Sequence, residues 1–160
     1  MARVIIDTGP LIALAKVDQT ELFHKLFDEI CITASVKAEC MVKPCAEHEV
    51  LADLMQKTWL NLCSPVTCDQ LLSLSLGRGE QDSIHLTLED ASNSLLIMDD
   101  FLARKQALRL GLHVIGTVRL LDIAEQRGLI RSAESMVLEM RDHGYRISMA
   151  ILEHIRSERD

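Results

Sequence analysis

Five short apolar runs alternate along this chain with stretches patterned as helices, and that alternation restricts the fold most. The runs are Val4-Ile5-Ile6, Ile30-Cys31-Ile32-Thr33, Trp59-Leu60-Asn61-Leu62, Leu95-Leu96-Ile97-Met98 and His113-Val114-Ile115. Each reads as a buried strand. Strands that alternate with helices imply an α/β fold, with a parallel sheet, helices on both faces and right-handed crossovers. The expectation is a three-layer α/β/α domain with four to five parallel strands.

Stop and start signals divide the rest. Gly9-Pro10 turns the chain after the first strand, and Leu11, Leu14 and Ala15 open a helix. Glu21 to Phe27 is predicted as a short amphipathic helix with Thr20 as its N-cap. Ala34 to Met41 and Glu47 to Lys57 follow, parted by Lys43-Pro44. Glu80 to Asp90 is predicted helical, because acids just after Gly79 suit a helix N-terminus, although Ser83 to Leu88 also alternates like a strand. A helix with Ala103, Ala107 and Leu108 ends at Gly111. Val118 to Gln126, Ser132 to Arg141 and Ser148 to Arg156 complete the set. One domain over residues 1–160 is expected, with helices from about 131 to 160 packed on it.

The hydrophobic fraction of 48% suits a packed core. The formal net charge of -7 argues against a simple electrostatic coat for nucleic acid. It leaves room for a nuclease whose acids cluster around metal. Aromatics at 3% make a base-stacking platform a poor hypothesis. The start runs directly into a strand, and no apolar run approaches the ~20 residues of a membrane span. Five cysteines (Cys31, Cys40, Cys45, Cys63, Cys68) lack zinc-knuckle spacing and read as reduced, small buried hydrophobes. A cytoplasmic protein with no membrane association is expected. The histidines form no H-x-x-x-H pair and read as structural or solvated. Gly77-Arg78-Gly79-Glu80 is no P-loop.

The chemistry rests on acids. Two strands end in carboxylates, at Asp7 and at Asp99-Asp100. Parallel neighbours would bring these together at the strands' carboxyl ends, where open α/β sheets bind ligands. Helices can add Glu39, and Glu80 or Asp82. Several carboxylates without facing lysines or arginines repel, and a divalent cation resolves the repulsion; oxygen ligands suit Mg²⁺ or Mn²⁺. Each acid also has a plainer reading. Asp7 and Asp99 or Asp100 could cap the helices that follow, Glu80 and Asp82 could answer a helix dipole, Glu39 could be solvated, and Arg104 could pair with Asp100.

In order and spacing the chain resembles the PIN-domain ribonucleases, in particular small proteins related to VapC-type toxins. The residues that carry the resemblance are Ile5-Ile6-Asp7-Thr8-Gly9-Pro10-Leu11-Ile12, Val36-Lys37-Ala38-Glu39, Gly79-Glu80-Gln81-Asp82-Ser83-Ile84 and Leu96-Ile97-Met98-Asp99-Asp100 with Arg104 and Ala107. Gly111 to Thr117 is similar to a subgroup of PIN-like proteins. The resemblance implies Mg²⁺- or Mn²⁺-dependent cleavage of single-stranded RNA. By position it makes Asp7, Glu39, Asp82 and Asp99 the catalytic acids, with Asp7, Asp82, Asp99 and Asp100 as metal ligands. Thr8, Glu80 and Arg104 are supporting residues. Asp99 competes with Asp100, and Asp82 with Glu80; Asp82 is preferred because a small and an aliphatic residue follow it. The resemblance further implies a homodimer and, for a toxin, a small antitoxin. The alternatives are a PIN-like module that binds RNA or protein without cutting, and a metal-dependent phosphatase or DNA nuclease. Leu22, Phe23, Leu51 and Leu54 are compatible with partner contacts or with the core.

Overall fold

The first strand sits at the centre of the molecule. In a computed structural model, which describes residues 2–42, 45–66 and 71–147, five parallel strands form one sheet. They are β1 (Arg3–Ile6), β2 (Ile30–Thr33), β3 (Leu60–Cys63), β4 (Ser94–Ile97) and β5 (His113–Ile115), in the order β3-β2-β1-β4-β5. Val4 lies opposite Leu95 and Ile6 opposite Ile97, while Ile5 lies opposite Cys31. A central strand is covered on both faces, which is why Val4, Ile5 and Ile6 form an unbroken apolar run rather than an alternating one.

Among the described residues eight α-helices cover the sheet: α1 (Thr8–Lys16), α2 (Glu21–Phe27), α3 (Ala34–Val42), α4 (His48–Leu54), α5 (Arg78–Leu88), α6 (Phe101–Arg109), α7 (Thr117–Gln126) and α8 (Ala133–Asp142). The alternation of β1 and β4 divides the core. Val4, Ile6 and Ile97 pack with Leu11, Leu14, Phe23, Val36, Leu120 and Val137. Ile5, Leu96 and Met98 pack with Ile84, Leu86, Ala103 and Ala107, so α5 and α6 cover the opposite face. Alanines on α6 let its backbone approach the sheet closely.

Several expectations are adjusted. Thr20 caps nothing with its side chain: its backbone is already helical (φ -64°, ψ -27°), and Phe23 N–H reaches its carbonyl at 3.2 Å. Residues 83–88 are helix and not strand; Glu80 reaches back to the Gly77 amide at 3.0 Å and fixes the helix start. Gly111 ends α6 with φ +79°, and Leu112 N–H bonds Ala107 O at 3.1 Å. Leu22, Phe23, Leu51 and Leu54 are core residues, at most 2% exposed. Cys40 is buried as expected, but Cys45 is exposed. Cys68, His154 and the helix expected over 148–156 lie outside the described residues. Among the described residues no helix is long and apolar enough to cross a membrane.

Candidate functional site

The chain leaves β1 toward β2 and β3 on one side, then returns to β4 and β5 on the other. The switch point therefore lies between β1 and β4, where an open α/β sheet parts its loops and leaves a crevice. Asp7 follows β1 and Asp99 follows β4 across that crevice. Asp7 N–H donates to Ile97 O at 3.0 Å, which carries the ladder to the strand tips. Gly9 lies between them: a Cβ there would stand in ordinary contact with the Tyr145 hydroxyl at 3.4 Å and Asp99 Cβ at 3.8 Å.

Asp7 is the most perturbed of the acids. It is 4% exposed, its side chain makes no cap bond to α1, and Oδ1 is buried with no hydrogen-bond partner. A helix cap is thereby ruled out as the reason for this carboxylate. Burial pushes its pKa up to about 7, opposed by the Thr8 amide and reinforced by the charges of Glu80, Glu39 and Asp99.

The other acids are held by named donors. Glu39, on α3, accepts from Thr8 Oγ1 at 2.7 Å through Oε2 and from Gly79 N–H at 2.9 Å through Oε1. Gly79 must be small, since a Cβ there would lie 2.6 Å from Glu39 Oε1. Asp99 accepts from Thr117 N–H at 2.7 Å through Oδ1. Its Oδ2 takes Thr117 Oγ1 at 2.5 Å and also the Tyr145 hydroxyl. The phenol of Tyr145 is pushed up by burial and then by the Asp99 charge, so it stays a neutral donor.

The two open choices acquire geometry here. Glu80 acts on Asp7, and burial raises its own pKa, with the charges of Asp100 and Glu39 adding to the effect. Asp82 is turned elsewhere: Ser35 Oγ donates to it at 2.7 Å and Arg78 Nε lies 3.2 Å away. Asp82, preferred from its sequence neighbours, is thus tied to the start of α3, while Glu80 holds the Gly77 amide and its charge acts on Asp7. Asp100 is the N-cap of α6, accepting from Ala103 N–H at 2.9 Å, and Asp99 is the acid at the β4 tip. Arg104 forms no ion pair with Asp100 among the described residues. Its guanidinium lies against Gly116, where a Cβ would meet Nη1 at 3.0 Å and Asp99 Oδ1 at 2.9 Å.

Sequence reasoning passed over Thr117, Tyr145 and Ser35. Thr117 had a signal, because Ile115-Gly116-Thr117 repeats the strand-tip pattern of Ile6-Asp7-Thr8. Tyr145 had none: it lies outside any strand and is delivered by the turn after α8. There Gly144 adopts φ +90° and Tyr145 N–H returns to Met140 O at 2.9 Å.

Among the described residues no three acids, histidines or cysteines close around one point as a cage. Mg²⁺ needs less, since it binds through one or two carboxylates and keeps several waters. A buried carboxylate oxygen without a donor, ringed by acids that raise its pKa, suits a hydrated Mg²⁺ or Mn²⁺ seated on Asp7.

Residues 3–160 match the family DUF3368, described as a PIN domain. No curated protein matches the chain.

Proposed function

The chain belongs to the PIN-domain family DUF3368, whose members are typically metal-dependent nucleases, and from that premise we propose that it is an endoribonuclease that uses Mg²⁺ or Mn²⁺ to hydrolyse phosphodiester bonds in single-stranded RNA. The observation that carries the reading is Asp7, a buried carboxylate at the switch point with an unpartnered oxygen and three acids acting on it. When bound, the cation supplies charge neutralisation at the phosphate and activation of water.

The residues then divide the work. Asp7 holds the ion, and Glu39, Glu80 and Asp99 make the crevice electronegative around it. Thr8 orients Glu39, and Thr117 orients Asp99. Arg104 has no carboxylate partner among the described residues, which leaves its guanidinium for a substrate phosphate. None of the acids serves as a covalent nucleophile. Asp7→Asn should abolish Mg²⁺-dependent cleavage of a labelled single-stranded RNA; undiminished cleavage would sink the proposal. Arg104→Ala should raise KM several-fold while leaving Mn²⁺ affinity within about twofold, since the loss of one phosphate contact weakens binding but not the ion.

The toxin half of a toxin–antitoxin pair is the biological setting we propose. Phe101 and Leu102, exposed directly after Asp100, give a small antitoxin or a second copy an apolar foothold. Growth arrest on expression, relieved by Asp7→Asn, is the expected behaviour.

A non-catalytic binding module is the second reading. It is favoured by the internal donors on both oxygens of Glu39 and of Asp99, which leave those acids little capacity for a ligand. RNA binding that ignores both Mn²⁺ and Asp7→Asn would favour it.

A further inference from the structure

We propose that Tyr145 is a positioning residue that latches Asp99, and that its hydroxyl competes with the divalent cation for Asp99 Oδ2. The proposal rests on Asp7 being the cation's seat. A carboxylate oxygen offers about two acceptor sites. Oδ2 spends one on Thr117 Oγ1 and one on the Tyr145 hydroxyl. It is also the oxygen turned toward the first turn of α1, directly after Asp7, 3.9 Å from where a Cβ on Gly9 would stand. The face of Asp99 that a cation on Asp7 would share is therefore already full.

One of the two hydroxyls must leave before Asp99 can contribute to the ion. Thr117 is poorly suited to leave: it opens α7, and its backbone N–H also holds Oδ1 at 2.7 Å. Tyr145 is well suited. It lies beyond the end of α8, after Gly144 in a left-handed conformation, and its side chain reaches Asp99 through a single hydroxyl. In this arrangement the latched state holds the ion on Asp7 alone, and release of Tyr145 gives it a second carboxylate.

The test is Tyr145→Phe, which keeps the ring and removes the hydroxyl. Mn²⁺ titrations of wild type, Tyr145→Phe and Asp7→Asn, followed by calorimetry, should show Tyr145→Phe binding about tenfold more tightly, as expected when one hydrogen bond to a charged group no longer competes. Equal or weaker Mn²⁺ affinity in a folded Tyr145→Phe overturns the latch. If wild-type binding is lost in Asp7→Asn while Tyr145→Phe is unchanged, the latch fails and the cation site stands. If Mn²⁺ binding is indifferent to Asp7→Asn, the cation site itself fails, and the latch falls with it. A second readout does not depend on the variant. Tyr145 is the single tyrosine of the chain, so a ¹³Cζ-tyrosine label reports on it alone. Adding Mg²⁺ should shift that resonance as the hydroxyl leaves Asp99; an unmoved resonance at saturating Mg²⁺ overturns the latch.

Discussion

At the scale of single residues the site includes close approaches to glycine, at Gly79 and Gly116. Alanine inside a helix is ordinarily favoured over glycine by about 0.5–1 kcal/mol. Gly79, in the first turn of α5, should reverse that sign, because the added methyl would sit 2.6 Å from Glu39 Oε1. Gly79→Ala is expected to cost about 1–3 kcal/mol by overpacking. It should also loosen the Thr8–Glu39 bond; a stabilised variant in urea melts would contradict this. Residue identity at the site was partly legible in the sequence. The places of Asp7 and Asp99 beyond β1 and β4 could be read, because a strand tip is a position that apolar runs mark. The different surroundings of Glu80 and Asp82 could not, since both fall on the first two turns of one helix. What separates them is which donors lie opposite, and Ser35 comes from another element.

At the scale of elements, β1 and β4 each lead through an aspartate into the helix that follows, but the hand-over serves different ends. Asp100 satisfies an orphan amide of α6, whereas Asp7 caps nothing. Asp100→Ala should therefore cost about 1 kcal/mol through the lost cap. Mn²⁺ affinity should remain close to wild type. A large loss of Mn²⁺ binding with unchanged stability would reassign the metal acid to Asp100. Thr117 shows the limit of reading element by element. It stands at a strand tip like Asp7, yet its partner Asp99 is eighteen residues earlier, and only the β4–β5 pairing joins them. Tyr145 is more remote still, because a turn after α8 carries it to the sheet edge.

At the scale of the whole molecule the architecture was the most legible part. A period-two or unbroken apolar run and a helical period are properties of neighbouring residues, and five alternations leave few topologies. The strand order is a finding of the structure, and it places the switch point between Asp7 and Asp99. Such a crevice has a consequence for stability. Burial pushes the Asp7 carboxyl from the ordinary aspartate value of 3.8 up to about 7 in the fold. A raised carboxyl favours folding while protonated, so its contribution is complete below about pH 3.8 and is lost as pH rises through about 7. With divalent cations chelated, wild type should lose stability relative to Asp7→Asn across that window, at up to ~1.4 kcal/mol per pH unit. Mg²⁺ should restore it most at the alkaline end. Parallel melting temperatures for the two proteins from about pH 4 to about pH 8 would contradict this linkage. The most direct measurement of the central claim is anomalous scattering at the manganese edge from crystals soaked in Mn²⁺. The account predicts a peak within about 2.2 Å of an Asp7 carboxylate oxygen, facing Glu39, Glu80 and Asp99, and absent in Asp7→Asn. A clean map with no peak at Asp7, or a peak that survives Asp7→Asn, would contradict it.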